Sequence, residues 1–379
     1  MSRRLPDIRI EAVELVRVEM PLIRPFRTSF GRMTLRDALL VRVASLDAEG
    51  WGECVTSAAP VYSEEFTDGS VLVLRDHLVP RLLAGGRDLG AQDVGPRLAR
   101  VQGHRMAKAA LEAAVLDAQL RGAGRSLADH LGAVVDRVPA GVSVGIPDGG
   151  VAELVEQIAG YLDEGYVRVK AKVTPGFDVA AMRAVRDAFG PQLPLQVDAN
   201  AGFHPDDDDH VRALEGLDEL ELTMIEQPFA PDRLRDHADL AARLDTPVCL
   251  DESILDATRA RDALDVGACT IVNIKPGRVG GLLESVRIHD LCATRSVAVW
   301  CGGMLETGIG RAANVALAAL PGFRYPGDTS ASNRYFEHDV TDPFVLEDGH
   351  LAVPDTPGIG RVPHSDVLAG ARWRERIDA

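Results

Sequence analysis

Six charged residues sit at nearly even intervals through the middle of the chain: Lys170, Lys172, Asp198, Glu226, Asp251 and Lys275. Each closes a short apolar run: VRVKAK (167–172), LPLQVDAN (193–200), LTMIEQP (222–228), TPVCLDES (246–253) and CTIVNIKPG (269–277). The steps are 28 from Lys170 to Asp198, 28 to Glu226, 25 to Asp251 and 24 to Lys275. A further 26 lead to Cys301 in VAVWCGGMLE (297–306). One acid after an apolar run is ordinarily a solvated or helix-capping group. Three at matching places on consecutive runs would converge, and three anions in one site repel unless a cation joins them. Carboxylate oxygens alone suit Mg²⁺ or Mn²⁺ better than zinc. Lys170 and Lys172 are two residues apart on an extended run, so they share a face. Repulsion and desolvation would lower the pKa of one of them and make it a base near neutrality. Lys275 lies four runs further on. In a closed barrel of eight strands it would face the first pair across a diameter. A substrate at the central cation would then meet a lysine on each face, the arrangement needed to remove and return a proton at one carbon. A proton next to a carboxylate is weakly acidic because its loss creates an enediolate dianion. A metal stabilises that charge where it develops.

The repeat itself defines the elements that position these groups. A period of this size marks one supersecondary unit used repeatedly. Apolar β-branched runs alternating with amphipathic stretches read as βα units on a parallel sheet. The fold class is therefore α/β, a (β/α) barrel with its chemistry at the C-terminal ends of the strands. VPAGVSVGI (138–146) supplies the first barrel strand. Ahead of it, 8–22 reads as a strand and 39–55 as a hairpin turning at Asp47–Gly50. Helical patterns cover 68–84 and 104–121, the second stopped by Gly122. The expected organisation is an α+β capping domain over 1–130, a barrel over 131–325, and a C-terminal segment over 326–379 returning to the cap. FVLEDGHLAV (344–353) has a hairpin signal at Asp348–Gly349 and is expected to pair with the N-terminal domain. Two stretches, 21–33 and 56–66, are rich in aromatic, Gly, Pro and hydroxyl residues. They are expected to be loops lying over the barrel mouth. From them come Phe26, Phe30, Met33 and Tyr62 as weaker candidates for pocket walls; Gly302, Gly303, Met304 and Glu306 join them from the run after Cys301.

The totals narrow the class. The chain has 41 Lys and Arg against 57 Asp and Glu, a net charge of −16, which argues against nucleic-acid or anionic-membrane partners. Five cysteines, at 54, 249, 269, 292 and 301, form no CxxC pair, and a reducing compartment is expected. No run approaches the length of a membrane span, and MSRRLPDIRI lacks a signal-peptide core, so a cytoplasmic location is expected.

KAK, QVDAN, IEQP, LDES, NIKPGRVGG and WCGGMLETGIGRAANVALAALPGF resemble the muconate-lactonising branch of the enolase superfamily. MPLIRPFRTSFG, GWGECV, DTSASNRYF and DPFVLEDGHL extend the resemblance over nearly the whole chain. Within that branch the chain is most similar to the N-acylamino-acid (N-succinylamino-acid) racemases and o-succinylbenzoate synthases. The resemblance implies an enolase-like (β/α)7β barrel, Mg²⁺ (or Mn²⁺ or another divalent cation) at Asp198, Glu226 and Asp251, and acid/base lysines at Lys172 and Lys275. It implies supporting roles for Lys170, Asn200 and Glu252, and makes Arg278 a candidate substrate-binding residue. The substrate class is a small carboxylate, and a homo-oligomer is expected. Muconate cycloisomerase, dipeptide epimerase and a non-enzymatic metal-binding protein stand further off. Ala171, Thr174 and the residues after Asn200 depart from the family pattern, which bears on substrate preference. Two further patterns are weighed against this reading. GIGRAA (308–313) with Asp328 fits a dinucleotide motif. It is better explained as a barrel loop whose helix N-terminus faces the pocket and binds a second carboxylate or an acyl oxygen. The stretch from His204 to His210 reads as a solvated acidic loop.

Overall fold

The computed structural model describes residues 5–46 and 48–379. Strands Ile8–Thr28, Gly31–Ser45 and Glu49–Cys54 form an antiparallel meander. The hairpin expected over 39–55 is the second half of that meander; Asp47 in its turn lies outside the described residues. Glycine alternation brings this sheet close to the Ala-rich helix Arg105–Gly122. A Cβ on Gly50 would fall 2.1 Å from the Ala114 carbonyl oxygen, and one on Gly52 would fall 2.1 Å from that of Ala110. Only glycine permits such an approach.

Two expectations are corrected here. Residues 21–33 are not an irregular loop but the far end of the first hairpin. Their Pro-rich composition is absorbed by a register shift between the pairs Pro21–Leu35 and Phe26–Met33. The Glu347–His350 turn does form, but the strand after it, His350–Ala352, pairs with Arg137–Pro139 beside the barrel. The return to the N-terminal sheet is made instead by Trp373–Asp378, antiparallel to residues 12–17.

Seven parallel strands follow in sequential order: Gly141–Val144, Arg168–Lys172, Leu195–Asp198, Ile225–Glu226, Val248–Leu250, Ile271–Ile274 and Ala298–Cys301. All are buried along their length, as strands covered on both faces must be. Residues 323–328 bridge the two edges. Arg324 and Asp328 donate backbone hydrogen bonds to Val299 and Cys301, and Gly141 donates to Gly327. The expected (β/α)7β barrel is thus closed by a segment standing in place of an eighth strand. Register sets the mouth: Lys172 pairs with Asp198 and Asp198 with Glu226, while Asp251 and Lys275 each come one residue after their strands.

Strand alternation then stacks the interior in layers. Two residues below the mouth come Lys170, Gln196, Met224, Cys249 and Asn273, and with them Trp300. Met224, Cys249, Ile271, Ala298 and Trp300 pack together as a small cluster of their own. The charged layer rests directly on that cluster, with the Lys170 ammonium over the Trp300 ring.

Candidate active site

Each lysine is fixed by a different set of acids. Lys172 Nζ donates to Asp198 Oδ2 at 2.5 Å and to Asn200 Oδ1 at 2.7 Å. Lys170 Nζ is 2.6 Å from Asp328 Oδ2, 3.1 Å from Glu226 Oε2 and 3.3 Å from Asp198 Oδ2, and lies 4.8 Å from the centre of the Trp300 ring. Lys275 Nζ reaches Asp251 Oδ2 at 2.7 Å, with the Tyr62 hydroxyl at 3.4 Å. These side chains are buried on the inner face of the barrel.

The charges act on one another. Burial and the neighbouring Lys170 ammonium hold Lys172 below the usual lysine range, against the pull of Asp198. Burial works against Lys170 too, but Asp328, Glu226 and Asp198 outweigh it and hold that amine above the ordinary range. Lys275 is also raised, since Tyr62, Glu252, Glu226 and Asp198 together overcome its burial. Of the KxK pair, then, only Lys172 shows the lowered basicity expected from mutual repulsion. Glu226 is pushed up by burial and by Asp198, and Glu252 is pushed up to about 7 by the same causes.

Asp198, Glu226 and Asp251 lie on neighbouring strand ends, fully buried. Their donor chemistry fits a hard divalent cation, and the buried Glu252 Oε2 beside them has no partner. No three acids among the described residues already form a ligand cage, because their oxygens are turned onto lysine and arginine nitrogens. These three could hold a cation once the ammonium groups yield those oxygens.

Residues with no assigned part in the sequence reading complete the site. Asn273 donates to Glu226 Oε1 at 2.7 Å and accepts from the Gly302 amide. Gln227 accepts from the Asp251 and Ser253 amides and donates to Ser253 and Phe229, tying two strand ends together. Gln227 and Asn200 have positive φ, 39° and 41°, strain that is tolerated where function over-determines the backbone. Asp328 bridges Lys170 and Arg168 Nη1, the latter at 3.0 Å. Two-residue alternation below Lys275 could have pointed to Asn273; Asp328 drew notice only as part of a dinucleotide-like pattern, and nothing local places it beside Lys170.

A cavity of about 510 Å³ opens above the lysines. Among its walls are Phe26, Phe30, Met33, Tyr62, Gly303 and Met304, together with Lys172, Asn200 and Lys275. Three candidates stand apart from it. Arg278 lies behind Asp251, donating to its Oδ1 and to the carbonyls of Ile254 and Asn273. Glu306 is buried on the other side and accepts from Asn314. Gly302 faces inward, where any Cβ would come within 2.6 Å of the Lys275 side chain. The helix Gly308–Ala318 is likewise turned away. Its first amides are taken by Glu53 and Asp339, a carboxylate from each flanking segment, so they are not free for a ligand. In the 204–210 stretch Asp207 caps the helix Asp208–Asp218.

Residues 153–367 match the model described as enolase C-terminal domain-like. Residues 10–132 match that of the mandelate racemase / muconate lactonizing enzyme N-terminal domain. This chain belongs to the enolase superfamily. It is 55% identical to an N-succinylamino acid racemase of an Amycolatopsis species over 361 residues, covering 95% of this chain and 97% of the relative. It is 47% identical to an o-succinylbenzoate synthase of Geobacillus stearothermophilus, covering 93% of each. The crystal structure of an enolase superfamily member from Listeria innocua superposes with a TM-score of 0.92 at 38% identity, covering 98% of this chain and 99% of that one. Superfamily enzymes typically use a divalent metal in proton abstraction. All five cysteines are free and buried. No helix among the described residues is long and apolar enough to cross a membrane.

Proposed function

We propose that this protein racemises N-acylated amino acids, with N-succinyl the favoured acyl group, by moving the α-proton of a carboxylate substrate. In this reading Asp198, Glu226 and Asp251 hold a divalent cation, Mg²⁺ or Mn²⁺, and Lys172 and Lys275 are the acid/base pair. What carries it is that two lysines from the second and sixth strands line one cavity, with the three acidic strand ends between them. When bound, the cation supplies the charge that offsets the second negative charge created by deprotonation. Lys172 Nζ takes the proton on one face and Lys275 Nζ returns one on the other; the roles exchange for the opposite enantiomer. Lys170, held on three carboxylates, stays charged and repels a proton from Lys172. Five carboxylates (Asp198, Glu226, Asp251, Glu252, Asp328) face five cationic side chains (Lys170, Lys172, Lys275, Arg168, Arg278). With a dication added the sum is positive by two, which the two carboxylates of an N-succinyl amino acid offset. Phe26, Phe30, Met33 and Met304 favour an apolar amino-acid side chain and exclude water. The buried free thiols accord with work in the cytoplasm.

A second reading is supported by the 47% identical o-succinylbenzoate synthase: dehydration of a cyclohexadiene carboxylate, with one lysine as base and the other stabilising charge. Incubation of the Mg²⁺-loaded protein with single enantiomers of N-succinyl amino acids in D₂O tests the first. Both enantiomers should gain deuterium and interconvert. No deuterium gain, alongside turnover of the cyclohexadiene acid, would overturn it in favour of the second.

A further inference from the structure

We infer that Tyr62, carried by the capping domain, is a positioning residue for Lys275 alone, so that one of the two lysines is completed by the cap while the other is preset by the barrel. The inference rests on the two-lysine reading above and deepens it.

The two amines have unlike surroundings. The hydrogen bonds of Lys172 go to Asp198 and Asn200, both at the end of the adjoining barrel strand. No residue before 130 bonds to it among the described residues. Above Lys275, in contrast, lies the ring of Tyr62, with the ammonium 4.9 Å from the ring centre. Lys275 donates to the Tyr62 hydroxyl at 3.4 Å, and that hydroxyl donates to Asp251 Oδ1 at 3.1 Å. A cation over an aromatic face is held there by the ring quadrupole, and the hydroxyl adds direction to that hold. Beneath, Gly302 leaves room for the lysine chain and little more. Met304 Sδ closes the side at 3.7 Å.

Tyr62 can serve this purpose because of how its loop is tethered. The Thr67 amide and hydroxyl both donate to the Ser57 carbonyl, and Glu65 accepts from the Met106 and Ala107 amides at the start of the long cap helix. Residues 58–61 between these ties are exposed. The Phe30 ring, at the tip of the first hairpin, meets Tyr62 edge-on at 6.1 Å. Both cap segments over the mouth thus meet at Tyr62, which touches Lys275; on the other side the hairpin's Ser29 hydroxyl donates to the Asn200 backbone carbonyl and not to Lys172 or its partner oxygens. Placement of the cap and alignment of that amine are a single event, whereas Lys172 is aligned beforehand.

The test compares Tyr62→Phe, which keeps the ring, and Tyr62→Leu, which does not, in two backgrounds. In Lys172→Ala the remaining α-proton exchange in D₂O belongs to Lys275; in Lys275→Ala it belongs to Lys172. Tyr62→Phe should lower exchange at least tenfold more in the first background than in the second, mainly through kcat. Tyr62→Leu should widen the gap. Equal falls in both backgrounds, or a change confined to KM, would make Tyr62 a plain pocket wall and overturn the inference. A second measurement needs no turnover: amine labelling of the full chain, read by peptide mass spectrometry. Tyr62→Leu should speed labelling of Lys275 relative to Lys172, and an unaltered ratio overturns the inference. Absence of exchange in the parent protein defeats the proposed function, while labelling still decides on Tyr62.

Discussion

Lys172 and Lys275 are chemically the same group at equivalent places in a repeating barrel, yet their supports differ. Lys172 stands beside Lys170, and its neighbours are strand ends formed by the barrel's own hydrogen bonding. Lys275 leads into a segment pressed against the cap. Gly277 leaves no room for a Cβ beside Val55, and Glu112 of the cap helix accepts from the Leu283 amide. Tyr62 completes it from above. A barrel repeat alone can therefore build one side of a two-sided site, and the other side needs a second domain. The electrostatics divide the same way. Burial, with the Lys170 cation beside it, holds Lys172 down, while Tyr62 and the surrounding acids overcome burial and hold Lys275 up.

The largest expected effect separates the two lysines outright. Lys172→Ala or Lys275→Ala should each lower racemisation by on the order of 10³-fold or more, and each should spare deuterium exchange into one enantiomer, a different one in the two variants. Loss of exchange into the same enantiomer from both would break the comparison. Glu226→Gln comes next, because Glu226 sits between the faces. We expect Mg²⁺ affinity, measured by titration calorimetry, to fall at least tenfold and both exchange rates to drop together. A one-sided effect would place Glu226 with a single lysine. Asp328→Asn acts beneath Lys170 and on Arg168 beside it. It should weaken Lys172-borne exchange more than Lys275-borne exchange, and cost roughly 3 kcal/mol of stability in chemical denaturation by taking a carboxylate from two buried cations.

The smallest effect on proton exchange concerns the cap contact behind Lys275, where stability alone responds. Burial pushes Glu112 from 4.5 to about 7. A carboxyl whose pKa is raised by folding adds stability that is full below about pH 4.5 and is lost as pH rises through 7. The shift corresponds to roughly 3 kcal/mol. Between pH 5 and 8 the parent should lose stability relative to Glu112→Gln, and parallel unfolding curves for the two proteins across that range would discard this account.

How far the chemistry could be read in advance depended on whether its signal was local. Lys170, Lys172, Asp198, Glu226, Asp251 and Lys275 announce themselves because a parallel barrel repeats with a near-fixed period and places functional groups at its strand ends. Asn273 was within reach of the same alternation. Arg278 and Glu306 lie outside the cavity walls, because closeness along the chain does not state which side of a backbone faces the cavity. The helix at Gly308 looked free to bind an anion until Glu53, more than 250 residues away, filled it.

From residue types and spacing alone, this chain determines a parallel α/β barrel and the ordered set of acids and amines around its mouth. A strand's alternation and a repeat's length are properties of neighbouring residues. Only the folded molecule decided that Asp328 belongs beside Lys170 and that Tyr62 covers Lys275. The first depends on a strandless segment closing the barrel and the second on a separate domain settling over it. Contacts of that kind form between parts of the chain that share no local pattern, so burial and charge pairing in three dimensions select them.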